Sequence, residues 1–355
     1  MTQTISTDTL ERLASRVFDY MVADHSALTD DKSGMDCHGS DWGMDINKWD
    51  WNPGVGVIAI SHYYGASKQP EAIAFLTRWI EANREKALKF QHVNNMAPFT
   101  IFPDMFARTG DEFYRDTALE YGEWIIDELV KTSSGAFQHG GQWHEQVWAD
   151  TIFMVILFFA KLAKMTGNEK YADVALEQLL LHLRLLEDTE TGVLFHGYHC
   201  DGHHLSAARW TRGNSWIVVG TPLVLAEIEG MRAVPEELIS RYRKLVDAIM
   251  KHQAENGLWS TILDRPSYYQ ETSGSAGIGC GLACAVRIGL LPASYREATR
   301  HVLQGVIGKI KENGEVTGVS GGTPIMPTIE AYNDLSCYPT LYGQGLTLML
   351  LSEFL

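Results

Sequence analysis

The chain has 355 residues, 45% of them hydrophobic, with 44 acidic against 29 basic side chains for a formal net charge of −15. That apolar content can bury a sizeable core and excludes a disordered chain. The acidic excess argues against a nucleic-acid backbone or an anionic membrane surface as partner, but a small anionic substrate needs only a local Arg or His.

Helical periodicity recurs from end to end. The spacing predicts twelve helices, over 8–23, 53–65, 70–88, 97–108, 111–130, 149–166, 168–187, 211–229, 235–253, 272–289, 295–312 and 342–354. Pro70-Glu71 and Pro235-Glu236-Glu237 place Pro and acids in a first turn. Asp111 and Asn168 are N-cap candidates. No stretch alternates with period two for long, so a large sheet is not expected. The connectors alternate in length: those near 66–69, 109–110, 167, 230–234 and 290–294 are short. Those near 24–52, 89–96, 131–148, 188–210, 254–271 and 313–341 are long. Helix hairpins joined in this way predict an all-α fold, an (α/α)6 barrel, with residues 1–355 as a single catalytic domain.

The five cysteines, Cys37, Cys200, Cys280, Cys284 and Cys337, are odd in number and form no CxxC pair. Cys280 and Cys284 are four apart on an apolar helix face and read as core. A reducing, cytoplasmic setting is expected. The first residues lack the basic and apolar regions of a signal peptide. No apolar run is long enough to predict a transmembrane helix. A homo-oligomer is left open.

In the predicted barrel every long loop opens at one end, where the even-numbered helices begin. The unusual residues collect there: Trp49-Asp50-Trp51-Asn52-Pro53-Gly54, His92-Val93-Asn94-Asn95, Trp148-Ala149-Asp150, Trp210-Thr211-Arg212-Gly213-Asn214-Ser215-Trp216, Glu271-Thr272-Ser273-Gly274-Ser275 and Tyr342-Gly343-Gln344-Gly345. Aromatic faces stack on sugar rings and planar polar groups bond hydroxyls, so this is the composition of a carbohydrate cleft. Trp51, Asn94 and Asn95 are candidate substrate contacts. Asp150 follows Gly140-Gly141 and a polar, aromatic loop and precedes the apolar run Ile152–Ala160. A half-desolvated carboxyl there is expected to have a raised pKa suited to proton transfer, although a first-turn Asp is also simply favourable. Arg212 between two tryptophans suits a planar carboxylate ligand; the competing reading is a stacked Arg that pairs an internal acid. The segment His196-Gly197-Tyr198-His199-Cys200-Asp201-Gly202-His203-His204 has no zinc-box spacing. It reads as an irregular, substrate-contacting loop, with no metal and no cofactor expected. No nucleophile elbow or phosphate loop occurs, and ordinary glycoside hydrolysis asks for a second acid across the cleft, where Asn94-Asn95 offers amides.

Five blocks in order, Trp148-x-Asp150-Thr151-x-Phe153-Met154, Phe195-His196-Gly197, Trp210-x-Arg212-Gly213-Asn214-x-Trp216, Glu271–Ala276 and Tyr342–Gly345, resemble the unsaturated rhamnogalacturonyl hydrolases, glycoside hydrolase family 105, related to the unsaturated glucuronyl hydrolases of family 88. The resemblance implies an (α/α)6 barrel. It also implies removal of a terminal 4,5-unsaturated uronic acid from lyase-generated, pectin- or rhamnogalacturonan-derived oligosaccharides by hydration of the vinyl ether. Asp150 would protonate C4 and activate a water for C5. Trp148, Met154, His196, Trp210, Arg212 and Trp216 would line the uronate subsite. The related glucuronyl hydrolases carry a second Asp in an early loop, and Asn94 and Asn95 stand here where that residue is to be looked for. The other readings are a different (α/α)6 glycosidase or sugar epimerase, and a catalytically silent sugar-binding barrel.

Overall fold

The computed structural model describes residues 5–25, 43–87, 92–140 and 143–355. Cys37 and Gly141, both weighed above, lie outside the described residues. The predicted helices are α1 (Thr7–Val22), α2 (Trp51–Ser67), α3 (Pro70–Ala87), α4 (Phe102–Thr109), α5 (Glu112–Glu128), α6 (Leu157–Thr166), α7 (Glu169–Leu186), α8 (Thr211–Glu227), α9 (Glu236–Met250), α10 (Thr272–Arg287), α11 (Arg296–Ile307) and α12 (Leu341–Ser352). Short pieces lead directly into three of them: Val93–Met96 and the 3-10 turn Ala97–Ile101 into α4, a π-helical turn, Ile152–Ile156, into α6, and the 3-10 turn Ala293–Tyr295 into α11.

The even-numbered helices form a closed inner ring. α2 packs on the 3-10 turn before α4, which packs on α6; α6 packs on α8, α8 on α10, α10 on α12, and α12 returns to α2. Each odd-numbered helix packs outside, α1 on α12, α3 on α2, α5 on α4, α7 on α6, α9 on α8 and α11 on α10. This is the (α/α)6 barrel that the connector lengths predict. The sequence dictates which helices go inside. All of α12 and Thr211–Leu225 of α8 are buried, because these helices are apolar or small on every side. The outer helix α9 buries only a stripe that includes Leu238, Tyr242, Leu245 and Ile249. At Gly281 a β-carbon would stand 2.2 Å from the Val218 carbonyl oxygen, so only glycine lets α10 and α8 approach this closely. Asp111 and Asn168 cap α5 and α7 as predicted, accepting from Phe113 N and Lys170 N.

Two local features were not anticipated. The chain's entry into α6, the third inner helix, is π-helical, with Leu157 N donating to Ile152 O; such turns add one residue to the helical repeat and occur often at functional sites. The His-rich segment is not irregular either. Its residues make β2 (Gly197–His199) and β3 (His203–His204), an antiparallel hairpin beside β1 (Gln146–Trp148), with Trp148 opposite Gly197 and His199 opposite His203. No helix among the described residues is long and apolar enough to cross a membrane.

Candidate active site

The chain's entries into α2, α4, α6 and α8 converge on one cavity of about 260 Å³. Asp50 and Trp51 reach it from the start of α2, and His92 and Asn94 from the segment before α4. His139, Trp143, Trp148, Asp150 and Met154 come from the long loop and π-turn before α6. Trp210 and Arg212 come from the start of α8, and Thr323 and Pro324 from the loop before α12. The tenth and twelfth helix starts stand one layer back: Glu271 contacts Arg212, and the Tyr342 ring stacks on Trp51 with centroids 4.9 Å apart. The indoles give the cavity flat apolar walls, and the carboxylates, amide and imidazoles give it polar contacts, a lining suited to a sugar ring.

Asp150 sits at the chain's entry into α6, its carbonyl accepting from Phe153 N and Met154 N. β1 delivers it: Trp148 pairs with Gly197, and Ala149 N donates to His196 O, which ties this entry to β2. Asp150 Oδ2 lies 3.4 Å from His196 Nε2, and neither atom has a hydrogen-bond partner in the protein. His196 is fully buried, and its Nδ1 is 2.8 Å from the Tyr332 hydroxyl. His139 stacks flat on Trp148 at 4.2 Å and contacts Thr151 Oγ1 through Nδ1 at 3.1 Å.

The electrostatics correct one sequence expectation. Burial does push the Asp150 carboxyl up, but His196, His139 and Arg212 together pull it further down, so its pKa is lowered rather than raised. Burial lowers His196, with Asp150 opposing, and drops His139 to about 4. At neutral pH the resting site is therefore a carboxylate beside two neutral imidazoles.

Arg212 also differs from a free carboxylate fork. Nη1 donates to Ser320 Oγ (2.7 Å) and Ser320 O (3.2 Å) and meets Glu271 Oε1 at 3.5 Å; Nη2 donates to Gly321 O (2.9 Å) and Thr323 Oγ1 (2.7 Å). The guanidinium is sandwiched between the Trp210 and Tyr342 rings, 4.5 Å from each centroid. It is the stacked arginine paired with an internal acid, the competing reading of the sequence. Only Nε is buried without a hydrogen-bond partner.

Of the other candidates, Trp51, Asn94, Trp148, Met154 and Trp210 line the cavity. Trp216, Asn95 and His196 do not. Trp216 is one turn deeper in α8 than Arg212, fully buried against Phe153 in the barrel core. Asn95 points away, its Nδ2 donating to Trp49 O while its own carbonyl accepts from Trp49 Nε1. His196 stands behind Asp150. Sequence reasoning passed over Asp50, His92, His139, Trp143, Thr323 and Pro324. Asp50 and His92 stood in segments already placed at the mouth, and Asp50 overturns the impression of a single acid. His139 and Trp143 belong to the aromatic loop before Asp150 and carried no spacing signal, and neither did Thr323.

Three kinds of similarity bear on this arrangement. The profile of Glycosyl Hydrolase Family 88 matches residues 31–355. Unsaturated rhamnogalacturonyl hydrolase YesR of Bacillus subtilis (strain 168) is 30% identical over 315 residues, covering 86% of this chain and 90% of that protein. An unsaturated 3S-rhamnoglycuronyl hydrolase of Alteromonas sp. (strain LOR) is 26% identical over 317 residues, covering 79% of this chain and 75% of that protein. Among solved structures, a possible member of the GH105 family from Klebsiella pneumoniae superposes with a TM-score of 0.90 at 30% identity, over 99% of this chain and 94% of its own.

Proposed function

The chain belongs to glycosyl hydrolase family 88, and from that premise we propose that it removes a terminal 4,5-unsaturated uronic acid from oligosaccharides left by polysaccharide lyases, with Asp150 as the acid and base. It is a hydrolase acting on glycosidic bonds. The unsaturated rhamnogalacturonyl hydrolase it is similar to supports rhamnogalacturonan-derived substrates, and that relative and the rhamnoglycuronyl hydrolase both support rhamnose next to the uronate. The contact between α1 and α12 supports treating the whole chain as one catalytic domain. The four described cysteines are free, which supports a cytoplasmic setting.

The observation that carries the mechanism is the Asp150 carboxylate, 15% exposed, opening on a tryptophan-walled cavity with one oxygen unpartnered. Asp150 protonates C4 of the double bond, and positive charge develops at C5, stabilised by the ring oxygen. The carboxylate then takes a proton from a water that adds to C5. The resulting hemiketal opens and releases the neighbouring sugar; Asp150 has given one proton to C4 and taken another from the water, so it ends the turnover protonated as it began. A resting carboxylate must first be protonated. The bound uronate supplies the reason: its own negative charge in the same cavity raises the Asp150 pKa. Met154 and the indoles keep the site dry enough for that repulsion to act. His196 positions the carboxyl from behind, and His139 holds the plane of Trp148. Arg212 Nε and Asn94 are the donors we assign to the sugar.

A specific observation keeps a second reading open. Asp50 lines the same cavity as Asp150, and a pair of carboxylates across a glycosidic bond is what ordinary hydrolysis uses. Reaction in D₂O and in H₂¹⁸O separates the two. Hydration places deuterium at C4 and ¹⁸O at C5, consumes the absorbance of the double bond and leaves saturated uronides inert. Label on the anomeric carbon, or comparable turnover of a saturated galacturonide, would establish displacement instead.

A further inference from the structure

The β2–β3 hairpin brings together three side chains that no step above uses. His199 and His203 face each other across the two strands, their rings parallel within 11° and 5.3 Å apart. The turn between them is Cys200-Asp201-Gly202, and Gly202 has φ +112°, a conformation that L side chains rarely adopt. That turn swings Asp201 back between the rings. Its Oδ1 lies 2.9 Å from His199 Nδ1 and 2.6 Å from His203 Nδ1, and the three ligand atoms fall within 4.8 Å of one another. Cys200, on the same turn, is occupied elsewhere, its thiol 3.3 Å from Ser134 Oγ.

We propose that His199, Asp201 and His203 form a binding site for a zinc-type first-row divalent cation that clamps the hairpin. Two imidazole nitrogens and one carboxylate oxygen make a three-ligand set, and the exposure of Asp201 and His203, 59% each, leaves a fourth position to water. Ligand atoms around a cation at about 2.0–2.1 Å stand about 3.3 Å apart in a tetrahedral site, so Asp201 Oδ1, now 2.9 Å from His199 and 2.6 Å from His203, has to open from both rings by less than about 1 Å. Imidazole with carboxylate favours zinc, nickel or copper(II) over magnesium or calcium, which prefer all-oxygen sites. The sequence-level expectation of no metal rested on linear spacing. Pairing across a hairpin supplies what the linear spacing lacks.

None of the three ligands lines the cavity, so the cation is a clamp and not a Lewis acid for the reaction. It ties β2 to β3 beside their turn, and β2 is hydrogen-bonded to β1, the strand that carries Trp148 toward Asp150. A cation bound only by the folded hairpin stabilises the native state by an amount that grows with the logarithm of its free concentration above Kd.

Calorimetric titration of the full chain, stripped with EDTA and desalted, tests the site with ZnCl₂ as the probe. Saturable binding of about one equivalent is expected, unaffected by millimolar Mg²⁺. It should be lost in His203→Ala and weakened at least ~10-fold in Asp201→Asn, which keeps the turn but removes the charge. The melting temperature should rise with Zn²⁺ for the native chain and not for His203→Ala. Absence of saturable binding overturns the proposal. So does undiminished binding in His199→Ala and His203→Ala, which would assign the cation to other histidines.

Discussion

His196 Nε2 stands 3.4 Å from Asp150 Oδ2 while its other nitrogen is held by the Tyr332 hydroxyl at 2.8 Å. A fully buried imidazole, anchored on its far side, thus backs a carboxylate whose front opens on the cavity. The relation separates two jobs that the sequence merged. Asp150 meets the substrate, and His196 sets the position of Asp150.

Asp150→Asn should cost at least ~10²-fold in turnover. The amide is isosteric, and its backbone contacts to Phe153 and Met154 are unchanged, so circular dichroism should match the native chain. Retention of more than roughly a tenth of the native rate in a folded variant would remove Asp150 from the mechanism.

Asp50→Asn should fall between the native chain and Asp150→Asn. Asp50 accepts from Trp51 N at the start of α2, and Asn caps a helix nearly as well, so stability should change by less than about 1 kcal/mol. Kinetics on the unsaturated substrate provide the measurement. A loss as complete as that of Asp150→Asn would favour the paired-carboxylate reading.

Arg212→Lys is expected to unfold the site more than to weaken binding selectively. Lysine keeps the charge but cannot reach Ser320, Gly321 and Thr323 together, nor lie flat between Trp210 and Tyr342. Several buried acceptors lose their donor, a cost of about 2–4 kcal/mol. Chemical denaturation gives the number. An unchanged midpoint accompanied by a raised KM would restore the carboxylate-fork reading.

Stability should fall as the pH drops from about 6.5 toward 4. Burial holds both His139 and His182 at about 4 in the folded chain, against about 6.5 when unfolded. Between those values the unfolded chain binds more protons than the folded one, so stability rises with pH across the window and is fully present above it. Each tenfold difference in proton affinity is worth about 1.4 kcal/mol, which makes the combined loss several kcal/mol. Urea midpoints at a series of pH values check it. His182→Gln, which touches nothing in the cavity, should flatten the slope whatever it does to absolute stability.

The ring of helices was legible because two independent signals agreed. Periodicity marked the twelve segments, and the alternation of loop lengths said how they pair. The mouth was legible because polar and aromatic residues fell at every inner helix start. What escaped lies where contact is made across sequence. Strands of two or three residues have no readable alternation, so the hairpin of His199 and His203 looked like loop. Trp216 shares a motif with Arg212 but lies one helical turn deeper, and a sequence block does not say how deep the cavity goes. Asp150 was read by its burial alone, and the imidazoles that reverse its pKa come from 139 and 196, which only β1 and β2 bring beside it. Arg212 pairs with Glu271 of a segment already placed at the mouth, but it finds most of its partners around 320, in a segment that carried no signal.

Four inner helix starts open on one cavity and two more stand one layer behind it, and this bears on how an anion reaches a chain of net charge −15. The chain as a whole repels a uronate. Each aligned helix, however, presents the positive end of its dipole, equivalent to about half an elementary charge, and here all of them point the same way. The far field and the near field therefore have opposite signs. Salt screens the far field first, since the Debye length is about 8 Å at physiological ionic strength. Moderate salt should thus quicken the capture of an acidic oligosaccharide, the reverse of the slowing seen when a basic surface steers its ligand.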